Sequence, residues 1–171
     1  MSPDALFWRG LLTCLLAAAC ATDLRARRIP NALAAAVLVL GLVRAVMPLA
    51  VHGVDPGAPA LSSALFGSGV GLAVWLPLYV LGVLGAGDVK LFAAAAAWLG
   101  PHALLPASMY AALAGGVLGL AWMAARVLRR PQLALTLPAS ATRPTGVPDT
   151  RIPYALAITA GVLAVIWGPA Q

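Results

Sequence analysis

Glutamate is absent from this 171-residue chain, lysine occurs once, and all five acidic residues are aspartates. Charged side chains make up 9% of the sequence against 62% hydrophobic, and the mean hydropathy is +0.95. That shortage of charge excludes an ordinary water-soluble domain and fits a bundle of helices packed in lipid. Cysteine is scarce too: Cys14 and Cys20 stand six apart in one apolar stretch, on different helix faces, so no disulfide is expected between them. Neither belongs to a CxxC pair, and His52 and His102 fall at the far ends of their segments, so no metal site is expected. The net charge of +6 comes from arginines that flank apolar stretches with no interleaved aromatics, which points to membrane topology and away from nucleic acid.

What is present is a series of long apolar runs: Ala5 to Thr22, Ala32 to Val51, Leu61 to Leu84, His102 to Val127 and a shorter one from Pro153 to Trp167. Roughly 20 apolar residues span about 30 Å of hydrocarbon as a helix. Val89 to Leu99 is too short to cross unless it tilts or sits in a thinned region, and is read as a further helix. The fold class expected is all-α, a polytopic transmembrane bundle of about six helices forming one domain over residues 1–171. Residues 128–152, rich in Pro, Thr and Arg, read as a cytoplasmic loop within it.

With the N-terminus outside, six spans put Arg25, Arg27, Arg28, Lys90, Arg126, Arg129, Arg130, Arg143 and Arg151 on the cytoplasmic side, leaving Arg9 and Arg44 near the other face. LLAAACA, residues 15–21, looks like a signal-peptide end, but a basic cluster after an apolar run acts as a cytoplasmic anchor, so the first helix is expected to be retained. Pro30 and Asn31 suit the start of the second helix, and HGVDPGAP, residues 52–59, reads as an outer turn in which Asp55 is merely solvated, as Asp149 is in the later loop. Gly67, Ser68, Gly69 and Gly71, and later Gly115, Gly116 and Gly119, read as close-packing faces between helices.

Against this background two acids stand out. Asp23 closes the first helix and Asp88 opens the short fourth one, and the threading puts both at the same membrane face. A carboxylate beside hydrocarbon is costly, so one that persists there is a functional candidate. Two neighbouring carboxylates cannot both ionise cheaply and come to share a proton, which makes them an acid and a base at once. The ionised member can take a proton from an attacking water while the protonated one steadies the oxyanion of a peptide carbonyl. Gly85 and Gly87 offer positive φ and close approach of a substrate backbone, Lys90 can tune the charge of the pair or meet a headgroup phosphate, and Arg28 and Asn31 shape the first loop.

The same residues allow plainer roles: Asp88 as a helix N-cap, Asp23 as an ion-pair partner of Arg25, Arg27 or Arg28. A small proton- or cation-coupled transporter or channel subunit would use the aspartates along a polar path, but the midplane stretches are Ala, Leu, Val and Gly. A non-catalytic assembly component of a secretion system is a third reading, and a GxGD protease of the presenilin type a fourth.

Asp23 followed by Arg28-Ile29-Pro30-Asn31, Gly85-Ala86-Gly87-Asp88-Val89-Lys90-Leu91 running on to Trp98-Leu99-Gly100, and Ile152-Pro153-Tyr154-Ala155 before the last helix together resemble the prepilin peptidases. These are the type IV leader peptidase family of membrane aspartic proteases, and the resemblance is strongest to the short forms of tight-adherence (Tad/Cpa) pilus systems. It implies a multi-pass enzyme of the bacterial inner membrane that removes the basic leader of prepilin or pseudopilin precursors at the cytoplasmic face, typically after a glycine. On that resemblance Asp23 and Asp88 match the family's catalytic pair. Larger members also N-methylate the new amino terminus and carry a zinc-binding insertion with two CxxC pairs. This chain has neither the insertion nor those cysteines, so neither methylation nor S-adenosylmethionine is expected; the partners implied are the precursor and membrane lipid.

Overall fold

The computed structural model describes residues 3–50, 59–134 and 154–168. They form five helices, α1 (Pro3–Ala26), α2 (Asn31–Ala50), α3 (Leu61–Val80), α4 (Ala86–Ala134) and α5 (Ala155–Trp167), with no strand among the described residues. Three are long and apolar enough to cross a membrane: Pro3–Ala26, Leu61–Val80 and Ala86–Ala125. About six helices are expected, and the expected fourth and fifth are both present as the two arms of α4, which meet at a break in the helix. Its hinge is Gly100, at φ 69° and ψ 174°, a conformation that needs the missing Cβ of glycine.

The break turns α4 into a hairpin of two arms, 86–99 and 101–134. Contacts from α3 establish this. Gly67 lies against Ala96 and Gly100, Gly71 against Ala93, Ala96 and Leu104, and Trp75 stacks on Phe92 while its Nε1 donates to Ser108 Oγ at 3.3 Å. Moving along α3, the first arm runs backwards and the second forwards, so the arms lie side by side and antiparallel. Helix α5 returns along the second arm, with Gly161 against Ala107 and Ala111, and α1 runs antiparallel to α5 through the Cys20–Thr159 and Thr13–Trp167 hydrogen bonds.

The first arm is the centre of the bundle, with every residue from Leu91 to Trp98 buried. An apolar helix buried all round needs small residues to let its neighbours approach. The run Ala93–Ala97 supplies them, and Gly41, Gly67 and Gly71 face it. A Cβ on Gly41 would lie 2.7 Å from Trp98 Nε1, which instead reaches the Val37 carbonyl at 2.8 Å. Large side chains such as Phe7, Phe66, Leu105, Leu113 and Leu120 are exposed, the inverse of a soluble protein and what a lipid-facing shell requires.

The two ends of the bundle differ. One gathers Trp8, Trp98 and Trp167 with Arg9, Arg44 and the Gly100 bend, and Arg44 donates to the carbonyl of Trp98 at 3.1 Å. Trp167 is the exposed indole of the three, while Trp8 and Trp98 are buried in the bundle. The other end collects the end of α1, the starts of α2, α4 and α5, and the end of α3. Helix α4 continues to Ala134, into the segment expected to be loop; residues 135–153, with Asp149, and the turn 51–58, with His52 and Asp55, lie outside the described residues.

Candidate functional site

Helix α1 stops because Arg27 enters the left-handed region, φ 52°, and its N–H donates to the Asp23 carbonyl at 2.8 Å. This is a left-handed C-cap, a place usually given to glycine. Its guanidinium lies 5.5 Å from the centre of the Trp122 ring, over its face. Asp23, in the last turn of α1, is 9% exposed and points into the bundle. Its Oδ2 accepts the N–H of Ala155 at 3.4 Å. The first N–H groups of a helix lack partners within it, so Asp23 caps α5 from another helix.

Asp88 sits in the first turn of α4. Its N–H donates to the Gly85 carbonyl at 3.1 Å and its Oδ2 accepts the Gly85 N–H at 3.1 Å, one half of a capping box. The carboxylate is half-buried. Neither Gly85 nor Gly87 uses the positive φ expected of it; among the described glycines that conformation falls to Gly82 and Gly100. Their small size has another use. A Cβ on Gly85 would lie 3.1 Å from Asp88 Oδ2, and one on Gly87 3.2 Å from Ile29 Cβ, so bare backbone lets the carboxylate and the first loop close in.

Asn31 opens α2, where the Leu33 and Ala34 N–H groups donate to the Pro30 carbonyl, while its Oδ1 accepts Lys90 Nζ at 3.2 Å. Asn31 thus ties the loop to α4 instead of capping its own helix. Arg28 and Lys90 are exposed at this end.

Asp23, Arg28, Asn31, Gly85, Gly87, Asp88 and Lys90 all line one cavity of about 910 Å³. The aspartates reach it from helices whose contact is at the other end of the bundle, where the Trp8 and Trp98 rings meet edge-on at 6.0 Å. The link between them is the start of α5. Ala155 holds Asp23, and the adjacent Tyr154 turns its phenol toward the wall at Gly115, where a Cβ would overlap the hydroxyl. Burial, then the charge of Asp88, pushes the Tyr154 phenol above its ordinary range, so it stays protonated at neutral pH. The Trp75 ring meets the Tyr154 ring edge-on at 6.0 Å.

Tyr154, Tyr79, Arg27 and Gly115 also line the cavity and were not singled out from sequence as site residues. The available signal was topological: with the helices alternating in direction, the start of the last one returns to the end that holds both aspartates. Gly115, expected to be a helix-packing residue, is part of the wall. Cys14 is exposed and Cys20 buried, on different faces as expected. Among the described residues no three of His, Cys, Asp and Glu gather as metal ligands would.

The sequence profile of the type IV leader peptidase family matches residues 10–120, which include both aspartates. The chain is 35% identical over 126 residues, 70% of its length, to a prepilin leader peptidase/N-methyltransferase of Xanthomonas campestris pv. campestris. That stretch spans 42% of the relative's own length. No solved structure matches the chain.

Proposed function

Because the chain belongs to the type IV leader peptidase family, we propose that it is an aspartic endopeptidase that removes a short basic leader from prepilin-like precursors. The observation that carries this reading is that Asp23 and Asp88, far apart in sequence, open on the same cavity at the end of the bundle where the basic first loop lies. In the proposed reaction a water sits between the carboxyl groups. The ionised one takes its proton as the water oxygen bonds to the scissile carbonyl carbon, and the protonated one donates to the carbonyl oxygen. Collapse of the tetrahedral centre breaks the C–N bond, and a carboxyl proton goes to the departing amine. The pair acts as a unit, so neither role belongs to one aspartate alone.

The substrate follows from the cavity's place. Arg28 and Lys90, exposed at the cavity end, support a cytoplasmic placement of that end under the charge rule, the side on which a precursor presents its leader while its apolar helix stays in lipid. The scissile bond then lies at the interface, level with the aspartates. A transport path is not favoured, since the central arm from Leu91 to Trp98 is apolar and buried throughout.

The test is co-expression of the full chain with a small precursor carrying a basic leader, a glycine and an apolar helix, following leader loss by gel shift. Asp23→Asn and Asp88→Asn are each expected to abolish processing, with rates down by at least about a thousandfold, as when a member of a catalytic unit is lost. Normal processing by either correctly inserted variant would overturn the proposal.

A further inference from the structure

Tyr154 is placed with more care than a packing residue needs. Its ring is held edge-on by Trp75, and Gly115 keeps bare backbone where any Cβ would collide with the phenol oxygen and ring. The residue lines the aspartate cavity, and the next N–H along the chain is fixed on Asp23. Phenylalanine would fill the same space against Trp75 without the cost of half-burying a hydroxyl, so the oxygen itself calls for an explanation.

We propose that the Tyr154 hydroxyl donates a hydrogen bond to the scissile carbonyl oxygen, beside Asp88, and strengthens that bond as the oxyanion forms. This rests on the aspartate-pair reading above. No proton leaves the phenol in this step; its O–H bond stays intact throughout, and the water proton and the amine proton are handled by the carboxyl groups. A donor of this kind must remain protonated across the working range, which burial and the neighbouring Asp88 charge ensure. Its contribution belongs to the transition state, where negative charge collects on the carbonyl oxygen. Gly115 is then a positioning residue, acting through the phenol it makes room for.

The test compares the full chain with Tyr154→Phe, purified in detergent and checked for folding by thermal unfolding, on a precursor with a basic leader, a glycine and an apolar helix. Losing one oxyanion donor costs about a hundredfold to a thousandfold in kcat, so Tyr154→Phe is expected to fall by about a hundredfold with KM within about twofold. A kcat within about threefold of wild type, or a rise in KM alone, would overturn the proposal. Asp88→Asn assayed alongside separates the two ideas. If Asp88→Asn is active, the aspartate reading falls; if it is inactive while Tyr154→Phe runs at full rate, only the tyrosine role falls. Should Tyr154→Phe fail to fold, difluorotyrosine at 154 keeps the shape but ionises at lower pH. The kcat profile must then gain an alkaline limb at lower pH than wild type, and an unchanged profile would overturn the role.

Discussion

Asp23 does two jobs at once: it faces the cavity and it supplies the cap for α5. Its backbone carbonyl in turn receives the N–H of Arg27, so the last turn of α1 is fixed from both sides. Arg27 occupies φ 52°, which costs a side-chain-bearing residue about 1–2 kcal/mol. Replacing it tests whether that conformation is imposed by the fold. Arg27→Ala and Arg27→Gly both lose the contact with Trp122, so their difference isolates the backbone. Arg27→Gly should be more stable than Arg27→Ala by about 1 kcal/mol in detergent unfolding. Equal stabilities would mean that the turn relaxes without its side chain. The aspartates were readable in the sequence because acids are so rare in it, and all five residues singled out around them share the cavity with them. Tyr154 and Arg27 were not, because what distinguishes them is a neighbour far along the chain and a backbone angle. The positive φ expected at Gly85 and Gly87 failed for a related reason: a GxGD pattern says that side chains are missing, not whether angle or space demands it.

Among the elements, α5 is the shortest and the most dependent on its neighbours. Gly161 sits where a Cβ would be 2.6 Å from the Ala107 carbonyl oxygen and 2.6 Å from the Ala111 nitrogen. Both are backbone atoms of the second arm of α4, and neither can rotate away. Gly161→Ala must therefore lift α5, at about 1–3 kcal/mol for overpacking of this kind. Because Ala155 rides on the same helix, the hold on Asp23 loosens as well, and processing should fall alongside stability. Gly69→Ala is the control: it meets nothing within 4 Å and should leave unfolding within about 0.5 kcal/mol of wild type or slightly above it, since alanine favours helix. Equal behaviour of the two variants, followed by thermal unfolding and precursor cleavage, would show that α5 is not seated by this contact. The apolar runs gave the helices themselves with ends shifted by a few residues, since hydropathy sets what can lie in lipid but not where hydrogen bonding stops. Gly100 is the case hydropathy could not resolve. Two runs separated by a glycine and a proline read as two helices and are two helices, but only the φ of 69° at Gly100 shows that they double back on each other as antiparallel arms.

At the scale of the whole molecule, the two ends carry different chemistry, and that difference is the basis for the proposed orientation. Arg25, Arg27, Arg28 and Lys90 are exposed at the cavity end, while Arg9 and Arg44 are only half-exposed at the tryptophan-rich end. Lys and Arg exposed beside membrane spans are retained on the cytoplasmic side, so the cavity should open inward and the Gly100 bend outward. Impermeant maleimide labelling of single cysteines decides this in a background with Cys14→Ala and Cys20→Ala. Ala60 is exposed and follows Pro59, which touches Gly100, so Ala60→Cys reports on the outer end. Arg28→Cys reports on the cavity end. Ala60→Cys should label in intact cells and Arg28→Cys only after the inner membrane is opened. The reverse pattern would put the aspartates on the far side from a cytoplasmic leader, and a peptidase facing that way could not meet the precursor proposed for it. Labelling of both without opening the membrane would place the chain as something other than a spanning bundle, since the two positions mark opposite ends of helices of about 30 Å.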